Sequence, residues 1–112
     1  MQRDYSAYFE DMLEATCKIE KYTQNITTLE EFREEELIID AVIRNLSILG
    51  EAVKMIPEKI KQKYPGIEWK KIAGLRDILI HAYFEVDLDI LWDIIKNKIP
   101  GLKIELSKIV DE

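Results

Sequence analysis

An all-α fold is predicted by three features of this 112-residue chain. Apolar side chains recur three and four residues apart over several long stretches. Capping residues stand at the starts of those stretches. Nowhere do apolar and polar residues alternate between hairpin signals, as paired strands require. Two long antiparallel helices with two or three shorter ones packed on them satisfy the pattern, within one domain spanning residues 1–112.

Asp4 is placed to cap a first helix running to about Thr23, with Tyr8, Met12, Ala15, Ile19 and Tyr22 on its apolar side. Asn25-Ile26-Thr27 breaks that pattern. Thr28 with Glu31 forms a capping box, from which one long helix is expected. Its face carries Leu29, Phe32, Ile39, Val42, Ile43, Leu46, Leu49 and Val53, and Glu34, Glu35 and Glu36 read as solvated. Pro57 ends or bends it. A short helix is expected over Glu58–Tyr64, then a turn at Pro65-Gly66. Ile67–Ile72 leads into a central helix that ends near Glu85, where Gly74 marks either a break or a close helix contact. Asp87 caps a helix from Leu88 to about Asn97, with Ile90, Leu91, Ile94 and Ile95 inward. Pro100 suits the first position of a last helix, Leu102–Val110.

Composition narrows the function classes. Cys17 is the only cysteine, so no internal disulfide is expected, and a reducing, cytoplasmic setting fits. The first residues lack the apolar run of a secretory signal, and no apolar run exceeds three residues, so no membrane segment is expected. One His and one Cys do not build a zinc site, and no glycine-rich phosphate loop is present; neither metal nor cofactor is expected. The net charge of −6 argues against a general nucleic-acid coat. Its distribution is uneven: residues 1–53 carry net −7, residues 54–76 net +5 and residues 77–112 net −4. The single basic block, with Lys63, Lys70 and Lys71, is either a solvated loop or a phosphate-binding surface, and it runs directly into Arg76.

The stretch from Gly74 to Phe84 holds the only histidine. Arg76 and His81 stand in an R-x4-H spacing and Tyr83 follows two residues on. At 100° per residue, Arg76 and Tyr83 share one helical stripe, and Asp77 lies one turn before His81. Each residue has a structural reading as well as a chemical one. Arg76 and Asp77 serve either a phosphate site or a surface salt-bridge network. Asp77 orients His81 or pairs with a cation; half a metal site is the least favoured reading. His81 is a catalyst or a packed imidazole, and Tyr83 a modification site or a core phenol. Trp69 and Trp92 read as core anchors, and Gly50-Glu51-Ala52 as a helix-packing segment close to the cleft.

Three patterns in order carry a resemblance. They are Arg44-Asn45-Leu46-Ser47-Ile48-Leu49-Gly50-Glu51-Ala52; Trp69 with Ile72, Gly74-Leu75-Arg76-Asp77 and His81-Ala82-Tyr83; and Val86-Asp87-Leu88 with Trp92. Together they resemble HepT-type proteins of the HEPN superfamily (higher eukaryotes and prokaryotes nucleotide-binding), over nearly the whole chain. Glu68, where many relatives carry proline, and Asp77, where many carry asparagine, depart from the pattern and change little of the chemistry. The resemblance implies a HEPN-type helical bundle that forms a homodimer. It also implies a metal-independent ribonuclease toxin of a type VII toxin–antitoxin pair, with RNA as substrate. Arg76 and His81 would be catalytic, Asp77 supporting, and Lys63, Lys70 and Lys71 in reach of RNA. A nucleotidyltransferase antitoxin would silence it by transferring AMP to Tyr83. The alternative is a HEPN-like module that holds a nucleotide or a nucleotidyltransferase without cutting RNA.

The chemistry is consistent with the resemblance on its own terms. RNA brings its own nucleophile, the 2′-hydroxyl. Cleavage needs a base, an acid and positive charge at phosphorus. Histidine serves as base or acid, and arginine grips phosphate with two hydrogen bonds. One chain supplies one of each, and a two-fold axis doubles both.

Overall fold

The computed structural model describes residues 3–81 and 86–112, with Arg3, Asp4 and His81 described by their backbone alone. Tyr83 and the expected helix end near Glu85 lie outside the described residues. The described residues form seven helices and no strand: α1 Arg3–Thr23, α2 Leu29–Arg33, α3 Glu36–Met55, α4 Glu58–Lys61, α5 Trp69–His81, α6 Leu88–Asn97 and α7 Ile99–Val110. The all-α HEPN-type bundle is what the sequence predicts.

α3 is the central element. It packs against α1 and against α5; α7 packs on α1, and α6 lies against α7 and α2. Its stripe of Val42, Leu46, Leu49 and Val53 is buried, because residues 42, 46, 49 and 53 fall within about 60° on a helix. α1 meets it with Phe9, Met12, Ala15 and Ile19, all buried. Tyr8 is half-buried and Tyr22 is exposed, so the apolar side of α1 is narrower than its tyrosines suggested. Thr16 and Thr23 are buried too, their hydroxyls donating to the carbonyls of Leu13 and Ile19. Those bonds remove the cost of burying the hydroxyls. Trp69 and Trp92 are half-buried anchors at the rim: Trp69 donates to the Tyr64 carbonyl at 3.0 Å, and the Trp92 ring packs on Phe32.

The structure corrects several boundaries. The long helix expected from Thr28 up to Pro57 is two helices, α2 and α3, separated at Glu34-Glu35, where Glu35 leaves helical geometry with ψ 75°. Phe32 is fully buried and packs on Trp92, so the short α2 lies against α6 while α3 packs between α1 and α5. The Thr28–Glu31 capping box is present at the start of α2. Asp4 lies inside α1 rather than capping it. α4 is shorter than expected, and Pro57 precedes its first residue. α7 starts at Ile99, with Pro100 in its first turn and Gly101 within the helix. Asp87 caps α6, accepting from the Asp89 amide at 2.8 Å. Leu91 and Ile95 are buried there as expected, whereas Ile90 is exposed. Gly74 does not break α5, and a Cβ added there would meet nothing within 4 Å among the described residues.

Candidate functional site at the α3–α5 seam

Gly50 sets the distance between α3 and α5. A Cβ built on it would lie 2.1 Å from Cβ and 2.7 Å from Cγ of Arg76. Only a missing side chain lets the Arg76 stem lie across α3 at this depth. The stem is thereby pinned, and the Arg76 side chain is only 24 % exposed. Its guanidinium reaches the next residue of α3, Nη2 lying 3.2 Å from Glu51 Oε1, while Nη1 lies 3.4 Å from Asp77 Oδ1. Lys54, one turn beyond Glu51, donates to the same Asp77 oxygen at 2.6 Å. The Arg76 Nε is buried and has no hydrogen-bond partner among the described residues. The guanidinium contacts to Glu51 and Asp77 therefore use the two terminal nitrogens alone.

The Lys54 ammonium, hydrogen-bonded to Asp77, holds that carboxyl below the usual carboxylate range, and Arg76 adds to the effect. The salt-bridge reading of Arg76 and Asp77 is therefore what the described side chains display. Glu51, Lys54 and Asp77 are exposed around Arg76, whose own side chain reaches solvent only in part.

Helix geometry groups the remaining residues. Lys70, Gly74, Asp77 and His81 fall within about 60° of one another on α5. That stripe points away from buried Leu79. His81 is the last residue of α5 as described, eleven residues after Lys70. Exposed Ile78 and Ile80 flank the stripe. The expected basic residues divide: Lys71 is paired with Glu68 at 2.9 Å, and Lys98 of the α6–α7 junction reaches the same glutamate at 3.4 Å. Lys63 and Lys70 are exposed with no acidic partner among the described residues.

A cleft of about 660 Å³ opens between α5 and the α6–α7 corner, walled by Ile67, Ile72, Leu75, Ile94 and Leu102, and Gly74 and Ile78 of α5 also line it. Neither Arg76 nor Asp77 lines it. Among the described residues no three His, Cys, Asp or Glu side chains are grouped to hold a metal ion, and no helix is long and apolar enough to cross a membrane.

Sequence reasoning placed Arg76 and Asp77 together but missed Gly50 as the seat of Arg76, and Lys54 as the partner of Asp77. It put Glu51 near the cleft while preferring a packing role for its segment; the packing belongs to Gly50, and Glu51 pairs with Arg76. A signal was present. A glycine inside a helix costs roughly 1 kcal/mol relative to alanine. At Gly50, between buried Leu49 and Ala52, it marks a close approach.

The chain matches a family model described as "Ribonuclease HepT-like" over residues 12–109. A Thermococcus cleftensis protein described as "Probable ribonuclease HepT" is 44 % identical over 109 residues, which are 97 % of this chain and 98 % of that protein. A Methanocaldococcus jannaschii protein described as "Putative RNase" is 44 % identical over 111 residues, 99 % of this chain and 91 % of its own length. A longer protein of the same organism, described as "Gamma-glutamylcyclotransferase and putative RNase", is 43 % identical over all 112 residues, and the chain spans half of its length. No solved structure gives a significant match. A family match over most of the chain, and relatives this similar along nearly its whole length, establish that the chain belongs to the HepT-like ribonuclease family.

Proposed function

We propose that the chain is a cytoplasmic ribonuclease toxin that cuts RNA at a site built from Arg76 and His81, brought together with a second copy of each in a homodimer. Family membership supports the activity class. The observation that carries the site is the seating of Arg76 over Gly50, which fixes a partly exposed guanidinium at the edge of the α3–α5 seam. Arg76 holds the scissile phosphate and stabilises charge on the phosphorane. His81 of one copy takes the proton of the 2′-hydroxyl as that oxygen attacks phosphorus. His81 of the other donates a proton to the departing 5′ oxygen, and a cyclic phosphate remains. The nucleophile is the RNA's own, so the step as written uses no metal. Exposed Lys63 and Lys70 contribute sequence-independent attraction for the RNA backbone, and Lys71 does so less, because Glu68 neutralises it.

The homodimer is supported by the outward stripe of α5. A glycine in the middle of a helix weakens it by roughly 1 kcal/mol, and nothing among the described residues uses the space beside Gly74. Exposed Ile78 and Ile80 border it. A second copy packed there uses the glycine and covers both isoleucines. The regulatory part of the reading is a nucleotidyltransferase antitoxin that transfers AMP to Tyr83: the tyrosine oxygen attacks the α-phosphorus of ATP and pyrophosphate leaves.

The test is incubation of the purified protein with total RNA, with and without EDTA. Cleavage that survives the chelator, leaves cyclic-phosphate ends and falls by about 10²–10⁴-fold in His81→Ala is the expected result. Normal cutting by His81→Ala would refute the site. The non-cutting module draws support from the ion pairing of Arg76 with two carboxylates; under it, the protein binds a nucleotide or a nucleotidyltransferase and yields no RNA fragments.

A further inference from the structure

The charge cluster around Arg76 sums to zero. Lys54 and Arg76 are matched by Glu51 and Asp77, all within 2.6–3.4 Å contacts. A neutral cluster attracts a phosphate poorly. One further cation, placed so as to engage Glu51, changes that balance.

The outward stripe of α3 carries such a cation. Arg44, Ile48, Glu51 and Met55 stand at positions 0, +4, +7 and +11, within about 60° of one another on the helix. Leu37, seven residues before Arg44, continues the stripe and is 85 % exposed. Met55 at the other end is exposed as well. Arg44 is exposed and has no acidic partner among the described residues. The stripe is self-complementary. Two copies of α3 crossing antiparallel about a two-fold beside Ile48 put Arg44 of each opposite Glu51 of the other, and bring each Leu37 within a turn of the other's Met55. Opposite charges meet and the exposed apolar ends cover one another.

We propose that Arg44 is a site residue supplied across the two-fold: Arg44 of one copy pairs with Glu51 of the second and turns the neutral cluster around Arg76 into one of net charge +1. Glu51 is drawn off the Arg76 guanidinium. Asp77 remains shared with Lys54, and Arg76 is left with donors for phosphate. The inference rests on the dimeric reading above and names the contact that completes its site. It also accounts for an active arginine being ion-paired in the isolated chain. Arg44 acts through Glu51, so it is a positioning residue rather than a catalytic one.

Charge-reversal pairing tests it, with light scattering and native mass spectrometry as readouts independent of RNA cleavage. Arg44→Glu alone sets glutamate against Glu51, and Glu51→Arg alone sets arginine against Arg44. Each is expected to weaken self-association by about tenfold or more. An equimolar mixture restores both contacts, and a heterodimer with one chain of each kind is expected. Should either variant fail to fold, Ile48→Cys in a Cys17→Ser background gives an independent reading, because two cysteines beside the axis are expected to join in a disulfide-linked dimer on oxidation. Variants that dimerise as tightly as the wild type, a mixture without heterodimer, or no cross-link at position 48 would each overturn the seam. A wild-type chain that is monomeric at micromolar concentration refutes the dimeric reading and this inference together. A wild-type dimer that follows the pairing rules but does not cut RNA leaves the seam standing and refutes the ribonuclease reading instead.

Discussion

Gly50 and Arg76 are in contact at a distance that no other residue at position 50 permits: a Cβ there would stand 2.1 Å from that of Arg76. The arginine stem is therefore held by the absence of a side chain on the facing helix. Its guanidinium is placed by the backbone of α3 and by the carboxylate that follows the glycine. Helix spacing and charge position meet in one residue pair.

Gly50→Ala is expected to destabilise the fold although alanine is the better helix former. The obstructing atoms are the Cβ and Cγ of Arg76 rather than the tip of a flexible chain, so α5 must move. Overpacking of this kind costs ~1–3 kcal/mol, against the roughly 0.5–1 kcal/mol gained from removing glycine. A fall in Tm of roughly 5–10 °C follows for a domain of this size. Thermal denaturation followed by circular dichroism checks it, and an unchanged or higher Tm would mean that α3 and α5 are not in this register.

Arg76→Lys separates grip from charge. Lysine keeps the Cβ and Cγ that rest on Gly50 and keeps the positive charge, so stability is expected to change little. It loses the planar fork that binds two phosphate oxygens. A charge-assisted hydrogen bond is worth ~1.5–3 kcal/mol, so RNA cleavage should fall by about 10–100-fold with Tm preserved. Cleavage by Arg76→Lys at the wild-type rate would show that Arg76 supplies charge alone.

The Asp77 contacts have a pH signature. Lys54 first, and Arg76 after it, favour the carboxylate, so Asp77 releases its proton at lower pH in the folded chain than in the unfolded one. Stability from this source is present in full above about pH 4 and is lost as pH falls through the folded value. Lys54→Met removes the first cause, and the Asp77 titration should move up toward the ordinary aspartate range. Carboxyl NMR of the two proteins between pH 2 and 6 (roughly the span of carboxylate titration) reads it directly. Superimposable curves would show that the Lys54 contact is not formed in solution.

The helical architecture was legible because periodicity reports burial directly: residues 42, 46, 49 and 53 are buried at the spacing that predicts a helix face. The α2–α3 break was not. Leu29 and Phe32 also stand at helical spacing, and on a continued helix Phe32 would fall between Ile39 and Ile43, so the pattern does not mark Glu34-Glu35 as a break. At the site, Arg76 and Asp77 were visible from their spacing. Lys54 and Gly50 stand 23 and 26 residues from the side chains they meet, Asp77 and Arg76. Such pairings come from helix packing, which a linear motif does not encode. Gly74 read as a break or a close contact, and among the described residues it is neither.

Tyr83 is expected to be the switch. It follows His81 by two residues and Arg76 by seven, close enough in sequence for a group on its oxygen to reach the arginine's neighbourhood. An AMP attached there adds a phosphodiester carrying about one negative charge, and a purine. The phosphate competes with RNA for the Arg76 donors through the same charge-assisted hydrogen bonds. The nucleotide's bulk also obstructs access to Arg76, so inhibition should persist at ionic strengths that screen charge. Tyr83→Phe keeps the ring and removes the acceptor oxygen. It should retain substantial ribonuclease activity yet escape silencing by the nucleotidyltransferase and ATP. Intact mass after incubation with that partner gives the result: one or more AMP units gained by the wild type and none by Tyr83→Phe. Equal labelling of the two proteins, or full labelling that leaves RNA cleavage untouched, would sink the switch and leave the Arg76–His81 site to stand on the cleavage assay alone.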